Sequence, residues 1–164
     1  GDVALDHIDH ARGLAQSCLD EARLSVRALR PDGGQRVDLC HALDAQARRM
    51  EASGAQSRLR IVGDHYALPA DAEAELLRIA QECITNTLKH ARAAEVELVL
   101  DYGPHAVSLS VIDNGIGFDP AAHHDGFGLV GMRERAERIG ASLHVTSAPG
   151  RGSTVYTRLA TGGR

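Results

Sequence analysis

Hydrophobic residues in the first part of the chain recur every three or four positions, which is the spacing of one face of a helix. Between Ala4 and Arg30 they form two adjoining stripes, and such a wide apolar face predicts a long helix that packs in a bundle. Pro31 ends this pattern, and residues 32–36, which begin Asp-Gly-Gly, predict a flexible joint. We therefore expect a bundle helix over 1–31, a linker over 32–36 and a second domain over 37–160.

Helical and strand periods alternate in this second domain. Asp38 predicts the cap of a helix that runs to about Met50, with inward positions at Leu39, Ala42, Leu43 and Met50. A second helix is predicted from Pro69 to about Ala91, and a third by apolar positions at Leu129, Met132, Ala136 and Ile139, before a closing Gly140. Strand patterns occupy 58–62, 95–100, 106–112, 142–147 and 153–159, with turns at 101–104 and 149–152 and a loop at 118–125. This order predicts an α/β fold: a two-layer sandwich with helices on one face of a mixed sheet.

The composition of the 164-residue chain excludes several classes of function. Its net charge of -4, from 18 basic and 22 acidic residues, argues against a nucleic-acid coat or a polybasic membrane patch. Aromatic residues make up 3% with no Trp, so a base-stacking platform is not expected. No apolar run approaches the roughly 20 residues that a bilayer span needs. The polar start without Met leads us to expect a fragment with no signal peptide.

The cysteines, Cys18, Cys40 and Cys83, are odd in number, widely spaced and without a Cys-x-x-Cys pair. We therefore expect neither a disulfide framework nor a cysteine-based zinc site, and we expect a reducing compartment.

Candidate chemistry begins on the predicted helix at 69–91. Glu82, Asn86 and Lys89 fall on one face, with His90 at its edge, which is typical of a solvated outer surface. The opposite, apolar face holds Leu76, Leu77, Ala80, Cys83, Ile84, Thr87, Leu88 and Ala91. Asn is a mediocre helix former, and an acid, an amide and an ammonium at this spacing could also hold a hydrated Mg²⁺ and phosphate oxygens.

Three glycine-containing motifs follow this helix. The run Asp113 to Phe118 comes directly after a strand; it is a turn former, but its glycines would also let backbone approach a ligand, and its carboxylate could accept from an adenine amine. The run Gly126 to Met132 opens a helix, where exposed amides and the helix dipole suit phosphate. It is neither a Walker A loop nor a complete dinucleotide fingerprint. Gly152 to Thr154 opens the last strand.

Together these motifs resemble the GHKL ATPase superfamily. Gln81 to Ala91 looks like its N box, Asp113 to Gly117 like its G1 box, Gly126 to Met132 like its G2 box, and Gly152 to Thr154 like its final Gly-Thr element. The four motifs occur in the family's order, and the resemblance covers roughly Val37 to Leu159.

Within the superfamily the chain is similar to sensor histidine kinases that partner LuxR-type response regulators. The sequence at 21–31 looks like the end of their dimerisation helix, and the Gly-Met-Arg-Glu-Arg-Ala run at 131–136 looks like their helix after the G2 box. The loop between the G1 and G2 boxes is short, as in that subfamily.

The resemblance implies a Bergerat-type ATP-binding fold with ATP and Mg²⁺ as ligands. Asn86 would coordinate the Mg²⁺ that bridges the phosphates, Lys89 and His90 would contact phosphate, and Asp113 would bind the adenine amino group. Glu82 matches the acid that activates water in hydrolysing relatives. Gly117 and Thr154 would line the base pocket, Gly126, Gly128 and Leu129 would form the lid hinge and the phosphate-facing helix end, and further nucleotide contacts would come from Gly115 and Phe118.

The family's phosphoacceptor is a His followed by an acid on an earlier helix, and this sequence departs from that pattern. Neither His7 nor His10 is followed by an acid, and His124-Asp125 falls in the predicted lid. We therefore expect a fragment that binds ATP or ADP without phosphorylating itself, and that belongs to a homodimeric, cytoplasmic kinase region with a LuxR-type regulator as partner. No nucleic acid or membrane contact is expected.

Two other readings stay open. An anti-sigma-factor Ser/Thr kinase shares the superfamily fold but would not explain the leading helix. A nucleotide-binding module without catalysis is also compatible, although the intact Asn86 and Asp113 argue against it. A gyrase-like or chaperone ATPase is disfavoured because no room is left for a transducer domain.

Overall fold

The computed structural model describes residues 38–120 and 127–162. The predicted bundle helix at 1–31 and the linker at 32–36 lie outside this range, as do Gly126 and the His124-Asp125 pair. The division of the chain into two domains therefore stays a prediction.

The described residues form alternating helices and strands in the predicted order. The elements are α1 (Leu39–Ala52), β1 (Gln56–Gly63), α2 (Ala70–Asn86), β2 (Glu95–Tyr102), β3 (Ala106–Asp113), α3 (Phe127–Arg138), β4 (Ser142–Ser147) and β5 (Ser153–Ala160). A π-helical turn, Thr87–Ala91, continues α2, and it ends at Arg92, whose φ of 50° is left-handed.

The five strands make one mixed sheet in the order β1-β2-β3-β5-β4. The β1 and β2 strands are parallel, and the other three pairings are antiparallel. The register sets Asp113, at the end of β3, opposite Val96 on one side and Ser153 on the other. Residues at the end of β3 and at the start of β5 therefore meet at one edge of the sheet.

The helices cover one face of this sheet, which confirms the predicted two-layer α/β sandwich. Buried residues alternate along β2 and β3, as expected for strands with one covered face. The α1 helix packs on β1 and β2, α2 packs on β3, and α3 packs on β4. The residues with almost no exposure at the centre of this layer are Leu43, Leu76, Ile84, Leu98, Leu100 and Leu109.

The ends of α1 and α3 follow the predicted capping chemistry. The Asp38 side chain accepts a hydrogen bond from the backbone N–H of Cys40 and caps α1. Gly140, with a φ of 69°, donates its N–H to the Glu137 carbonyl and ends the last turn after α3.

Some details of the predicted pattern are wrong. On α1, Ala47 is buried and Ala42 only partly so, and Ile79 is a core residue of α2 that the predicted apolar face left out. Tyr102 lies inside β2 and is 4% exposed, so the turn begins only at Gly103. A strand-end aromatic has enough apolar area to extend the core past the polar strand residue Asp101.

None of the helices in the described residues is both long and apolar enough to cross a membrane.

Candidate functional site

Asp113 is a buried carboxylate held from two sides. It is the last residue of β3 and is 7% exposed. Its Oδ1 accepts a 2.9 Å hydrogen bond from the backbone N–H of Gly115, and its Oδ2 accepts one from Ser153 Oγ. Each carboxylate oxygen has a second lone pair, so the group can accept further donors in a fixed orientation.

The loop after Asp113 is fastened to the end of the α2 segment. Asn114 Oδ1 accepts hydrogen bonds of 2.9 Å from the backbone N–H groups of both Ala94 and Glu95. The N–H of Ile116 donates to the Ala91 carbonyl at 2.7 Å. A Cβ on Gly115 would overlap that same carbonyl oxygen, so the close approach requires glycine.

The turn before β5 packs on this loop. Gly117 has a φ of 62°, and a Cβ there would overlap the Ala148 carbonyl oxygen. Ser147 Oγ accepts from the Phe118 N–H at 2.9 Å and donates to the Gly152 carbonyl at 2.8 Å. The glycines of the predicted G1 box therefore bring two loops into backbone contact beside Asp113, which is how the chain builds this edge of the sheet.

Glu82 and Asn86 lie one turn apart on α2 and face the start of α3. A Cβ on Gly128 would sit 2.5 Å from Glu82 Oε1 and 3.2 Å from Asn86 Nδ2. Both side chains are half-buried rather than fully solvated. Gly128 thus lets the first turn of α3, whose N–H groups lack intrahelical partners, come close to an amide and a carboxylate.

The buried thiol of Cys83 lies between these two groups of residues. Burial raises the pKa of Cys83 well above its ordinary range, and the nearby carboxylates of Glu82 and Asp113 raise it further. Its Sγ contacts Met132 Sδ at 3.5 Å and so joins α2 to α3. The Asp113 carboxylate and the contact between α2 and α3 therefore belong to one continuous region.

The other predicted site residues take different positions. Lys89 and His90 are exposed on the π-helical turn, and Leu129 is half-buried against the core. Thr154 pairs with Ile112 and, by the alternation of β5, points to the face opposite to Ser153. The Thr154 side chain is therefore directed away from Asp113, and the hydroxyl that contacts Asp113 is that of Ser153. Gly126 lies outside the described residues.

Three contributions to this region were missed from the sequence. Ser153 and Ser147 supply its hydroxyl bonds. Glu75, 8% exposed on α2, accepts from Arg138 at 2.7 Å and pairs with Arg135 at 3.3 Å, which joins α2 to α3 a second time. The sequence did carry a signal for Glu75: it is an acidic residue on the same helical stripe as the apolar positions Ala72 and Ile79, which indicates a buried, paired carboxylate.

Comparison with known proteins gives one family and a set of relatives. Residues 71–162 match the family model for the histidine kinase-, DNA gyrase B-, and HSP90-like ATPase. The chain is 31% identical over 160 residues to the signal transduction histidine-protein kinase/phosphatase DegS of Brevibacillus brevis, covering 96% of this chain and 42% of that protein. It is 33% identical over 139 residues to UhpB of Salmonella typhimurium, covering 84% of this chain and 28% of that protein.

Solved structures of low identity share the fold. The full-length ShkA structure in complex with AMPPNP aligns with a TM-score of 0.62 at 21% identity, covering 77% of this chain and 30% of that one. The histidine kinase domain from Erythrobacter litoralis EL346 aligns with a TM-score of 0.58 at 21% identity, covering 74% and 60% of the two chains. The chain thus spans less than half the length of the two curated relatives above.

Proposed function

The chain belongs to the family of histidine kinase-, DNA gyrase B- and HSP90-like ATPases, and from that premise we propose that residues 37–160 are the ATP-binding catalytic domain of a two-component sensor histidine kinase. In the longer protein it transfers the γ-phosphoryl group of ATP to a His on a dimerisation helix. The observation that carries the proposal is Asp113, a buried carboxylate fixed by Gly115 and Ser153 beside a glycine-built loop.

Asp113 recognises the base. The adenine amino group donates to a remaining lone pair of the carboxylate, whose orientation is already set by its two protein donors. Gly117 and Phe118 form the adjoining backbone, and Gly115 keeps the loop on Ala91. Thr154 was expected to line the base pocket; its place on the opposite face of β5 favours Ser153 for this role.

The phosphate end of the nucleotide lies where α3 begins. The backbone N–H groups of Gly128 and Leu129 belong to the first turn of α3, where N–H groups have no acceptor within the helix and can bind anionic oxygens at the positive end of the helix dipole. Lys89 and His90 are exposed on the π-helical turn that follows α2; Lys89 adds positive charge, and His90 is proposed as a further phosphate contact. Gly126 is proposed as the lid hinge. Phosphoryl transfer needs mainly positioning and charge neutralisation, and these groups provide both.

Mg²⁺ fits the donor atoms at this place. Asn86 offers an amide oxygen and Glu82 a carboxylate, which are hard ligands that this ion accepts together with water and phosphate. Because Gly128 has no Cβ, the first turn of α3 lies close to both side chains. When bound, the ion neutralises charge on the phosphates. Asn86 is proposed to hold it, and Glu82 to orient water or the acceptor at the reacting group.

The partners follow from the same proposal. DegS and UhpB are named as signal transduction histidine-protein kinases/phosphatases, and we propose for this chain a response regulator of the LuxR type. The intact protein is proposed to be a homodimer whose kinase region lies in the cytoplasm. The net charge of -4 gives no support to a nucleic-acid partner.

Calorimetry with ATP and ADP, with and without Mg²⁺, tests the proposal. Wild-type protein should bind both nucleotides, and Asp113→Asn should weaken binding at least about tenfold because the amide presents one acceptor oxygen and a competing donor. Asp101→Asn, the same change on the opposite end of the sheet, should leave binding unchanged. Equal affinity in wild type and Asp113→Asn, or no nucleotide binding by wild type, would contradict it.

A further inference from the structure

Three metal-ligating side chains meet at the end of the sheet that lies away from Asp113. Asp38, Cys40 and His65 each offer one ligand atom, and these atoms all lie within 4.8 Å of one another. Asp38 and Cys40 begin α1, whereas His65 follows β1. Tyr102 beneath them pairs with Val107 at the start of β3, and Asp113 lies at the other end of that strand.

We propose that Asp38, Cys40 and His65 form a binding site for a thiophilic divalent metal ion, with Zn²⁺ as the favoured occupant and water as its fourth ligand. The site is separate from the nucleotide region and does not depend on the function proposed above.

The chemistry of the three donors selects the ion. A thiolate, an imidazole nitrogen and a carboxylate oxygen form a mixed set that Zn²⁺ accepts in four-coordinate sites, often with water in the last position. Mg²⁺ and Ca²⁺ prefer all-oxygen surroundings and are disfavoured by the sulfur and nitrogen ligands. A thiolate and a carboxylate together also neutralise both charges of the ion, so no further counter-charge is required.

The geometry needs only small side-chain movements. Ligand atoms of a tetrahedral Zn²⁺ site lie about 3.5 Å from one another, so a separation of up to 4.8 Å closes by rotation of side chains at the surface. The N–H of Cys40 donates to Asp38 Oδ1 at 3.0 Å, which holds the carboxylate beside the thiol and leaves Oδ2 available. Asp38 and His65 are exposed, so the ion can enter from solvent.

Tyr102 supports two of the three ligands from below. Its hydroxyl lies 3.7 Å from Cys40 Sγ, and its ring packs edge-on against the His65 ring with centroids 5.0 Å apart. Tyr102 is itself 4% exposed and therefore a fixed platform. His65 and Tyr102 also line an open cleft of about 830 Å³.

Binding would connect two segments that the backbone leaves apart. The ion would join the first turn of α1 to the connection between β1 and α2. The cysteine spacing led us to expect no cysteine-based zinc site. The proposed site departs from that expectation because it uses a single cysteine with two ligands that only the fold brings beside it.

Co²⁺ titration of the reduced 1–164 chain, followed by absorbance, tests the site, because a Co²⁺–thiolate bond gives a charge-transfer band and four-coordination gives intense visible bands. Wild-type protein should show both features, and Zn²⁺ should displace them stoichiometrically. Cys40→Ser should abolish the charge-transfer band. Loss of a ligand in His65→Ala or Asp38→Ser should weaken Zn²⁺ binding at least about tenfold, the range seen even for supporting residues of metal sites. Asp38→Ser keeps a good helix cap, so its loss of metal binding is not a loss of α1.

Three control variants exclude the other thiols and imidazoles. Cys18→Ser, Cys83→Ala and His123→Ala/His124→Ala should retain the wild-type bands. Zn²⁺ should also raise the Tm of wild type and leave that of Cys40→Ser unchanged. A charge-transfer band that is absent from wild type or persists in Cys40→Ser would overturn the proposal, as would unchanged Zn²⁺ affinity in both His65→Ala and Asp38→Ser.

Discussion

Ser153 Oγ donates a hydrogen bond to Oδ2 of Asp113 across the pairing of β5 with β3. With the Gly115 N–H on the other oxygen, the carboxylate is bound by protein donors on both sides before any ligand arrives. A group oriented in advance loses less entropy when a ligand binds. Ser153 is therefore a positioning residue for the proposed adenine contact, and the following change tests it.

Ser153→Ala should weaken ATP and ADP binding about tenfold, since hydrogen bonds to charged groups contribute about 1.5–3 kcal/mol. Ser153→Thr keeps the hydroxyl and should bind within a few-fold of wild type. Thr154→Ala removes a hydroxyl on the other face of β5 and should have no effect. Calorimetry on the three variants gives the comparison, and a larger loss in Thr154→Ala than in Ser153→Ala would restore Thr154 as the base-pocket residue.

Asn86→Ala should remove most of the Mg²⁺-dependent part of ATP affinity. Its amide oxygen is the proposed protein ligand of the ion, whereas the base is held elsewhere. Binding of ADP without Mg²⁺ should therefore change little. ATP titrations at several Mg²⁺ concentrations measure the effect, and Tm checks the fold. If the Mg²⁺ dependence of the variant matches that of wild type, the metal assignment is wrong.

Two glycines of α3 should respond oppositely to alanine. A Cβ on Gly128 meets Glu82 Oε1 and Asn86 Nδ2, whereas one on Gly131 has nothing within 4 Å. Gly131→Ala should stabilise the domain by up to about 1 kcal/mol through helix propensity, with unchanged nucleotide affinity. Gly128→Ala should displace the Glu82 carboxylate, which is the end of a flexible side chain, and should weaken Mg-ATP binding several-fold without unfolding the protein.

Urea unfolding and calorimetry on the same samples separate these effects. A Gly128→Ala variant with wild-type Mg-ATP affinity would show that the close approach of Gly128 to Glu82 and Asn86 does not contribute to nucleotide binding.

The Glu75 carboxylate should be a major stabilising contact between α2 and α3. Glu75 is buried, but Arg138 is 57% exposed, and solvent therefore weakens the ion pair. Glu75→Ala should lower the free energy of unfolding by about 1–3 kcal/mol. Glu75→Gln keeps an acceptor oxygen for the arginines and should lower stability less than Glu75→Ala does. Glu134→Gln, at an exposed position of α3, should change stability by less than about 0.5 kcal/mol. Urea unfolding midpoints of the three variants measure these differences in stability. Equal stability of Glu75→Ala and wild type would refute a stabilising role for the Glu75 contact.

Local chemistry in the sequence was enough to predict most of the fold. Alternating apolar residues located the strands from β2 to β5, Asp38 located the start of α1, and Gly140 the end of α3. Asp113 could be found because a carboxylate directly follows a strand and precedes two glycines. These signals depend on neighbours along the chain, and such neighbours are visible without a structure.

Features set by contacts between distant segments could not be predicted. Ser153 and Thr154 are adjacent, and only the strand register decides which hydroxyl reaches Asp113. No local sequence signal shows that Thr87–Ala91 becomes π-helical. The carbonyl of Ala91 accepts a hydrogen bond from Ile116, which lies in the loop after β3 and is distant in the sequence. His65 meets Cys40 only through the parallel pairing of β1 with β2 and the packing of α1 on both strands.

The domain should lose stability above pH 9.0, the ordinary pKa of a thiol, because burial raises the pKa of the Cys83 thiol in the folded protein. The thiol is protonated in both states below that pH, so its contribution is fully present there. Above it the unfolded chain releases a proton that the folded one keeps, and stability falls by up to about 1.4 kcal/mol per pH unit for this group.

Cys83→Ala has no thiol and should show a shallower decline of unfolding free energy between about pH 9 and pH 10.5, whatever its stability at neutral pH. The measurement is the free energy of urea unfolding along this range, with Cys18→Ser as the matched control. Parallel curves for wild type and Cys83→Ala would mean that the thiol ionises as readily in the folded protein as in the unfolded chain.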